Sequence, residues 1–237
     1  MELIWHGITK AFWLLLTGDP QVWAITILSL QVSGSATLLA LLLGIPAGAL
    51  LALTRFPGRG LAISLINTGM GLPPVVVGLF VTILLWRGSI LGFMKLLYTP
   101  SAMILAQVVI AFPIVAGLTL AALQSLNPRL RLQLMALGAS RLQVVYLLLR
   151  EARLPLLAAV MAGFGGVISE VGAVLMVGGN IKGQTRVLTT ATVLETRMGN
   201  FELAIALGFL LLLLTFGVNL ILTRIQQQGQ FRWPKPS

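Results

Sequence analysis

The sequence predicts an all-α membrane protein with five transmembrane helices and a short N-terminal interfacial helix. Of its 237 residues, 57% are hydrophobic and only 9% are charged, whereas about 25% of residues are charged in soluble globular domains. The mean hydropathy of +0.98 leads to the same conclusion. Long apolar runs also recur at the length of roughly 20 residues that a helix needs to cross the hydrocarbon core. Such a chain has too little polar surface for a water-soluble globule.

The first element, residues 1–23, is predicted to lie at the membrane surface. Its apolar run, Ala11–Leu16, is too short to cross a bilayer. Trp5 and Trp13 suit the level of the lipid headgroups. Glu2 stands where a secretory signal peptide would carry basic residues, so we do not interpret this segment as a cleaved signal.

Residues 24–222 are predicted to form the transmembrane domain, followed by a polar cytoplasmic tail at 223–237. The five apolar stretches that qualify as spans are Ala24–Leu53, Leu61–Trp86, Pro100–Leu123, Leu154–Val177 and Leu203–Leu222. Basic residues collect on the cytoplasmic side of membrane proteins, which favours an external N-terminus and a cytoplasmic C-terminus. With that orientation, ten of the 16 Lys and Arg residues are cytoplasmic, namely Arg55, Arg59, Arg129, Arg131, Arg141, Arg150, Arg153, Arg224, Arg232 and Lys235.

The second and third spans contain prolines that interrupt helical hydrogen bonding. Gly71-Leu72-Pro73-Pro74 lies in the second span and Pro113 in the third. In a membrane, freed backbone carbonyls are tolerated where they are buried in protein or line a wet cavity. Gly71, Pro73 and Pro74 are therefore candidates for a pathway or a gate, although a kinked structural helix is an equally good interpretation.

Glu170 is the only ionisable side chain inside a predicted span. A carboxylate at the membrane centre costs about 2.5–3.5 kcal/mol on insertion scales, so it should face protein or water. It is predicted to serve as a gate, an inter-subunit hydrogen-bonding group or a structural clamp. Direct contact with an anion is disfavoured by charge repulsion. The neighbouring Ser169 is a weaker pathway candidate.

The longest cytoplasmic loop, residues 124–153, contains a short amphipathic pattern. Leu142, Val145 and Tyr146 follow Gly138 at helical spacing, which predicts a short helix with one apolar face. Such a helix can lie on the membrane or insert into a groove of a partner protein. The spacing alone does not choose between these two roles.

The same loop resembles the signature loop of ABC importer permeases. The matching residues are Gly138-Ala139-Ser140-Arg141, with Leu154-Pro155 opening the next span. Two features depart from that pattern: Leu132-Gln133-Leu134 replaces its acidic-Ala-Ala opening, and Arg150–Arg153 is an apparent insertion. The resemblance implies a type I ABC importer permease fold and a coupling helix that docks on an ATPase. The implied coupling residues are Gly138, Ala139, Ser140, Arg141, Leu142, Val145 and Tyr146.

Further stretches resemble the tungstate permease branch of that family. They are Ile168–Asn180 and Ile181–Thr190, together with the Pro-Pro element Gly71–Gly78 that molybdate permeases share. The resemblance implies the permease subunit of an ATP-driven importer for a small oxyanion, with tungstate as the first candidate. The alternative within the family is a molybdate or sulfate importer permease.

The implied partners are a cytoplasmic ABC ATPase dimer, an extracytoplasmic oxyanion-binding protein, membrane lipid and a second copy of the chain. Five spans are few for a solute path, which favours a homodimer with the path on its axis. Lys182 and Arg186, in the external segment 178–202, are candidates for contact with the binding protein. A solvated loop is the alternative for this segment. The expected location is the cytoplasmic membrane of a bacterium or archaeon.

Other functional classes fit the sequence less well. It has no cysteine and a single histidine, His6, so thiolate metal sites, cysteine nucleophiles and histidine clusters are excluded. It contains no G-x-x-x-x-G-K-[ST] loop, so ATP is expected to bind to a partner and this chain to be neither an enzyme nor a cofactor carrier. The formal charge of +10 is attributed to membrane orientation, not to nucleic acid. A passive anion channel would leave the coupling loop unexplained.

Overall fold

The computed structural model describes residues 2–230, with backbone only at 15 and 228–230. Within this range the chain folds into eleven α-helices and one short 3-10 helix at Gly92–Met94. The α-helices are α1 Glu2–Leu16, α2 Pro20–Leu53, α3 Arg59–Met70, α4 Pro74–Leu85, α5 Pro100–Gln124, α6 Pro128–Ala136, α7 Arg141–Glu151, α8 Arg153–Ile168, α9 Gly172–Gly178, α10 Leu188–Arg197 and α11 Phe201–Gln230.

The apolar stretches of the sequence become either whole or broken helices. Of the described helices, α2, α5 and α11 are long and apolar enough to cross a membrane alone. The pairs α3–α4 and α8–α9 satisfy the same criteria together, but they are bent by 105° and 56°. The described residues therefore provide three spans, or five if each bent pair is one span. The all-helical prediction is confirmed, and the second and fourth predicted spans are broken helices.

The two central helices, α2 and α5, approach each other closely. A Cβ atom added at Gly44 would lie 2.8 Å from Val115 Cγ1, and one added at Gly48 would lie 2.5 Å from the Ala116 carbonyl oxygen. Small residues allow this approach where lipid offers no hydrophobic driving force for helix association.

Proline has different consequences at the two predicted interruptions. Helix α5 continues through Pro113, so the disturbance there is limited to the hydrogen bond that a proline nitrogen cannot donate. Gly69 at the end of α3 packs on this ring, since a Cβ there would lie 2.7 Å from Pro113 Cβ. At Pro73-Pro74, by contrast, two successive donors are missing after Gly71, and the helix ends.

Helix α1 packs along α11. Ala11 is fully buried in this contact, and Lys10 Nζ lies 3.6 Å from Glu202 Oε2. Trp5 and Trp13 remain exposed. Helix α11 continues to Gln230, so the first part of the predicted tail is helical, whereas residues 231–237 lie outside the described range.

Candidate functional site

The predicted coupling loop folds into α6, a tight turn and α7. Gly138 has a φ of +81°, a left-handed conformation that favours glycine, and open space surrounds the position of a Cβ there. Ser140 then starts α7 through a reciprocal capping box. The Gln143 backbone N–H donates to Ser140 Oγ at 3.4 Å, and the Ser140 N–H donates to Gln143 Oε1 at 2.8 Å. The glycine thus makes the turn, and the serine fixes the first residue of α7.

Helix α7 has one face on the protein and one face free. Val144 and Leu148 are buried against the ends of the central helices. Leu142 and Tyr146 are 85% and 64% exposed, and Val145 is half-buried. The predicted apolar face is therefore divided, because Val145 borders the core while Leu142 and Tyr146 remain available to another surface. Of the two flanking motif residues, Arg141 is exposed and Ala139 is half-buried.

Two arginines donate hydrogen bonds to carbonyl groups at the C-terminal end of α2, one from α6 and one from the start of α3. Arg131 Nη1, on α6, donates to the Leu53 carbonyl at 2.9 Å. Arg59 Nε donates to the Leu51 carbonyl at 2.7 Å. Terminal carbonyls of a helix lack intrahelical partners, and basic side chains near them are favourable. Helix α6 is thus hydrogen-bonded to a central span.

The two broken spans meet each other. A Cβ at Gly172 would lie 2.5 Å from Val75 Cγ2, and one at Gly78 would lie 2.6 Å from Ala173 Cα. Helices α4 and α9 therefore pack with their backbones close together, just after the break in each span. We call this contact together with the two adjacent breaks, residues 71–78 and 169–174, the break seam.

The break seam contains every pathway candidate predicted from the sequence. Gly71, Pro73 and Ser169 are exposed, Pro74 is half-buried and Glu170 is buried. The hydroxyl of Ser169 donates to the Gly165 carbonyl at 2.8 Å, within its own helix. One side of the seam is thus open, and the other contains the carboxylate.

Glu170 is a helix cap in this structure. Its Oε1 accepts the backbone N–H of Ala173 at 3.0 Å, and its Oε2 accepts that of Val174 at 3.0 Å. Both donors belong to the first turn of α9, where N–H groups lack intrahelical partners and favour negative charge. The side chain is 7% exposed. The carboxylate therefore satisfies two backbone donors at the break between α8 and α9.

Buried polar side chains that the sequence analysis did not single out support the same region. Gln107 on α5 is 3% exposed, and its Nε2 donates to the Val167 carbonyl at the end of α8. Thr189 donates to the Glu170 carbonyl at 3.0 Å, and Ser29 accepts the Leu188 N–H at 2.8 Å. For Gln107, the sequence signal that could have identified a buried polar contact is its position as a lone amide in an apolar span. Thr189 lies in the predicted external segment 178–202, where nothing in the sequence indicates that its side chain is buried.

Lys182 and Arg186 lie apart from the break seam. Lys182 is exposed, whereas Arg186 is half-buried with its Nη2 3.5 Å from the Asn180 carbonyl. Both border a cleft of ≈ 500 Å³ beside the start of α2. Within residues 2–230, no group of three His, Asp or Glu side chains is placed to hold a metal ion.

Comparison with known proteins adds three sequence findings. The sequence model of the binding-protein-dependent transport system inner membrane component family matches residues 44–228. The chain is 42% identical over 228 residues to the tungstate uptake system permease protein TupB of Peptoclostridium acidaminophilum, covering 96% of this chain and 100% of the relative. It is 30% identical to the molybdenum transport system permease protein ModB of Escherichia coli strain K12, covering 78% of this chain and 85% of the relative.

A solved structure shares the fold. A chain of the MetNI methionine ABC transporter in an inward-facing conformation superimposes with a TM-score of 0.71 at 23% identity. The alignment covers 92% of this chain and 96% of the other. At this identity the likeness concerns the arrangement of helices alone.

Proposed function

This chain is a member of the binding-protein-dependent transport system inner membrane component family, and we propose that it is the transmembrane permease subunit of an ATP-driven tungstate importer. The observation that carries the proposal is the 42% identity to a tungstate permease over the whole length of that relative. The molybdenum permease is more distant, at 30% identity over a smaller share of the chain.

The free face of α7 supports coupling to a separate ATPase. Leu142 and Tyr146 are large, exposed and adjacent on one helix, and such a face fits an apolar groove in a partner. The hydrogen bond from Arg131 to the Leu53 carbonyl connects this segment to α2. Closure of an ATPase dimer on α7 would thereby bias the spans between inward-facing and outward-facing states, and ATP would be hydrolysed on the partner.

The surfaces that the fold leaves open support homodimer formation. No residue of α3 is buried, and Leu61 and Leu65 on it are 68% and 64% exposed. The break seam also has an open side at Gly71 and Ser169. A second copy placed against α3 and the seam would cover these surfaces and enclose a path on the dimer axis, where unpaired backbone groups of the breaks meet water.

The external face supports docking of an oxyanion-binding protein. Lys182 and Arg186 provide two cations near the start of α2, and such charges steer a partner and set its orientation. Trp5 and Trp13 would hold α1 at the headgroup level of the outer leaflet. This arrangement has the N-terminus outside and the C-terminus in the cytoplasm of a bacterium or archaeon.

The proposal is tested by reconstituting the chain with its ATPase and binding protein in liposomes and measuring ATP hydrolysis and anion uptake. Tungstate should stimulate ATP hydrolysis more strongly than molybdate or sulfate at equal concentration, and it should be taken up faster. Leu142→Ser combined with Tyr146→Ser should release the ATPase without changing the stability of the permease. Ile90→Ser, at a residue 79% exposed in the loop after α4, is the matched control and should retain the ATPase. Anion flux without ATP would instead identify a passive channel.

A further inference from the structure

A buried hydrogen bond joins the external segment to the break between α8 and α9. Thr189, in the first turn of α10, is 6% exposed, and its hydroxyl donates to the Glu170 carbonyl at 3.0 Å. The two residues are 19 positions apart in the chain. This bond therefore closes a loop of chain that begins at the break, runs through α9 and the segment after it, and ends at α10.

Further hydrogen bonds inside this loop of chain make it compact. The hydroxyl of the fully buried Thr185 donates to the Gly178 carbonyl at the end of α9, and it accepts the Ile181 N–H at 2.9 Å. At the start of α10, Thr190 Oγ1 accepts the Val187 N–H at 3.1 Å. Deformation at these points would leave buried polar groups unpaired, so the segment between α9 and α10 resists local changes of shape.

The backbone at the break is held from two directions. Gln107 Nε2, on the central helix α5, donates to the Val167 carbonyl at 2.9 Å. Thr189 donates to the Glu170 carbonyl from the external segment. Within the break, the Glu170 N–H lies 3.3 Å from the Val167 carbonyl. The break seam is thus attached to a central helix on one side and to α10 on the other.

We propose that Thr189 is a positioning residue that holds the break seam in the arrangement seen here until the oxyanion-binding protein docks. This inference rests on the proposed function. Lys182 and Arg186, the candidates for contact with the binding protein, precede Thr189 by seven and three positions. Docking that shifts this compact segment would draw the hydroxyl away from the Glu170 carbonyl and free the seam to open. The binding protein would thereby favour the open arrangement over the closed one.

The test compares ATP hydrolysis by the reconstituted importer with and without its tungstate-loaded binding protein. Thr189→Val removes the hydroxyl at nearly constant volume. It should raise hydrolysis without the binding protein about fivefold, the population change that one hydrogen bond produces, and leave the stimulated rate unchanged. The ratio of stimulated to basal hydrolysis should therefore fall about fivefold. A merely structural role would lower both rates.

Two variants of the same helix serve as controls. Thr189→Ser keeps a hydroxyl and should restore the ratio of the wild type. Thr192→Val removes a half-buried hydroxyl that bonds to the Leu188 carbonyl within α10, and it should leave the ratio unchanged.

Hydrogen exchange of the wild-type importer provides a measurement that needs no variant. The backbone N–H groups of Ala173 and Val174 donate to the Glu170 carboxylate. Their exchange should become faster when the tungstate-loaded binding protein is added, because opening of the seam exposes them. If Thr189→Val does not fold, this measurement decides, and unchanged exchange would overturn the proposal.

Other outcomes would also overturn it. A stimulation ratio equal to that of the wild type in Thr189→Val would show that the bond only stabilises the fold. A ratio that falls through a lower stimulated rate alone would contradict a restraining role. An equal rise of basal hydrolysis in Thr192→Val would show general loosening of α10. A wild-type importer that the tungstate-loaded binding protein does not stimulate would instead contradict the proposed function itself.

Discussion

Removing the carboxylate of Glu170 should weaken the fold at the break between α8 and α9. In Glu170→Gln one side-chain oxygen remains, so one of the two first-turn N–H groups, that of Ala173 or Val174, loses its acceptor. A buried donor without a partner costs about 1–3 kcal/mol. Glu170→Ala leaves both donors unpaired and should cost about twice as much. Both variants should still insert, because the carboxylate acts as a hydrogen-bond acceptor.

The assay is reversible unfolding in mixed detergent micelles, with the free energy of unfolding compared among variants. Ser169→Ala is the matched control, since its exposed hydroxyl bonds only within α8, and surface changes of this kind stay within about 0.5 kcal/mol. The free energy of unfolding should decrease from the wild type to Glu170→Gln and again to Glu170→Ala. An alanine variant as stable as the control would refute the capping role. A glutamine variant that fails to insert would show that the charge itself is required.

Three further perturbations test the other parts of the structure. Gly138→Val should cost about 1–2 kcal/mol through its left-handed backbone and abolish ATPase binding and tungstate-stimulated hydrolysis. The control is Gly58→Val, at a glycine with a φ of +85° and equally open space. It should cost as much stability but still bind the ATPase. If Gly138→Val keeps ATPase binding and tungstate-stimulated hydrolysis, Gly138 is not a coupling residue. Thermal unfolding should show that Gly78→Ala destabilises the protein by about 1–3 kcal/mol, because the added methyl group overpacks the break seam. The control Gly34→Ala, whose added Cβ would meet no atom within 4 Å, should be neutral or stabilising. Leu142→Ala alone should weaken ATPase affinity in a pull-down titration with no change in unfolding, and an unchanged affinity would exclude it from the contact.

Much of the architecture could be predicted because hydropathy and helix signals are local. The predicted apolar stretches begin within a few residues of observed helices, as with Pro100–Leu123 against Pro100–Gln124, although α11 continues to Gln230, beyond the predicted end at Leu222. The break at Pro73-Pro74 was predicted for the same reason, since a missing N–H is a property of the residue itself. The start of α7 depends on Ser140 and Gln143, which are three residues apart and therefore visible as a sequence pattern.

The partners of individual residues depended on tertiary contacts. Pro113 has the same chemistry as Pro73, yet α5 continues through it, because a single missing donor is tolerated when the rest of the helix is packed. Gln107 was overlooked because its partner, the Val167 carbonyl, is 60 positions away in the chain. The sequence left several roles open for Glu170, and only the position of the first turn of α9 decided that it is a cap.

The sequence by itself thus determined the membrane class, the approximate positions of the apolar helices and the interruption at Pro73-Pro74. Each of these depends on the composition of a short window or on one backbone donor. The tertiary structure decided that the two broken spans meet at Val75 and Gly172 and which face of α7 is free. These features join residues far apart in the chain, and their geometry is fixed by how closely the helix backbones can approach.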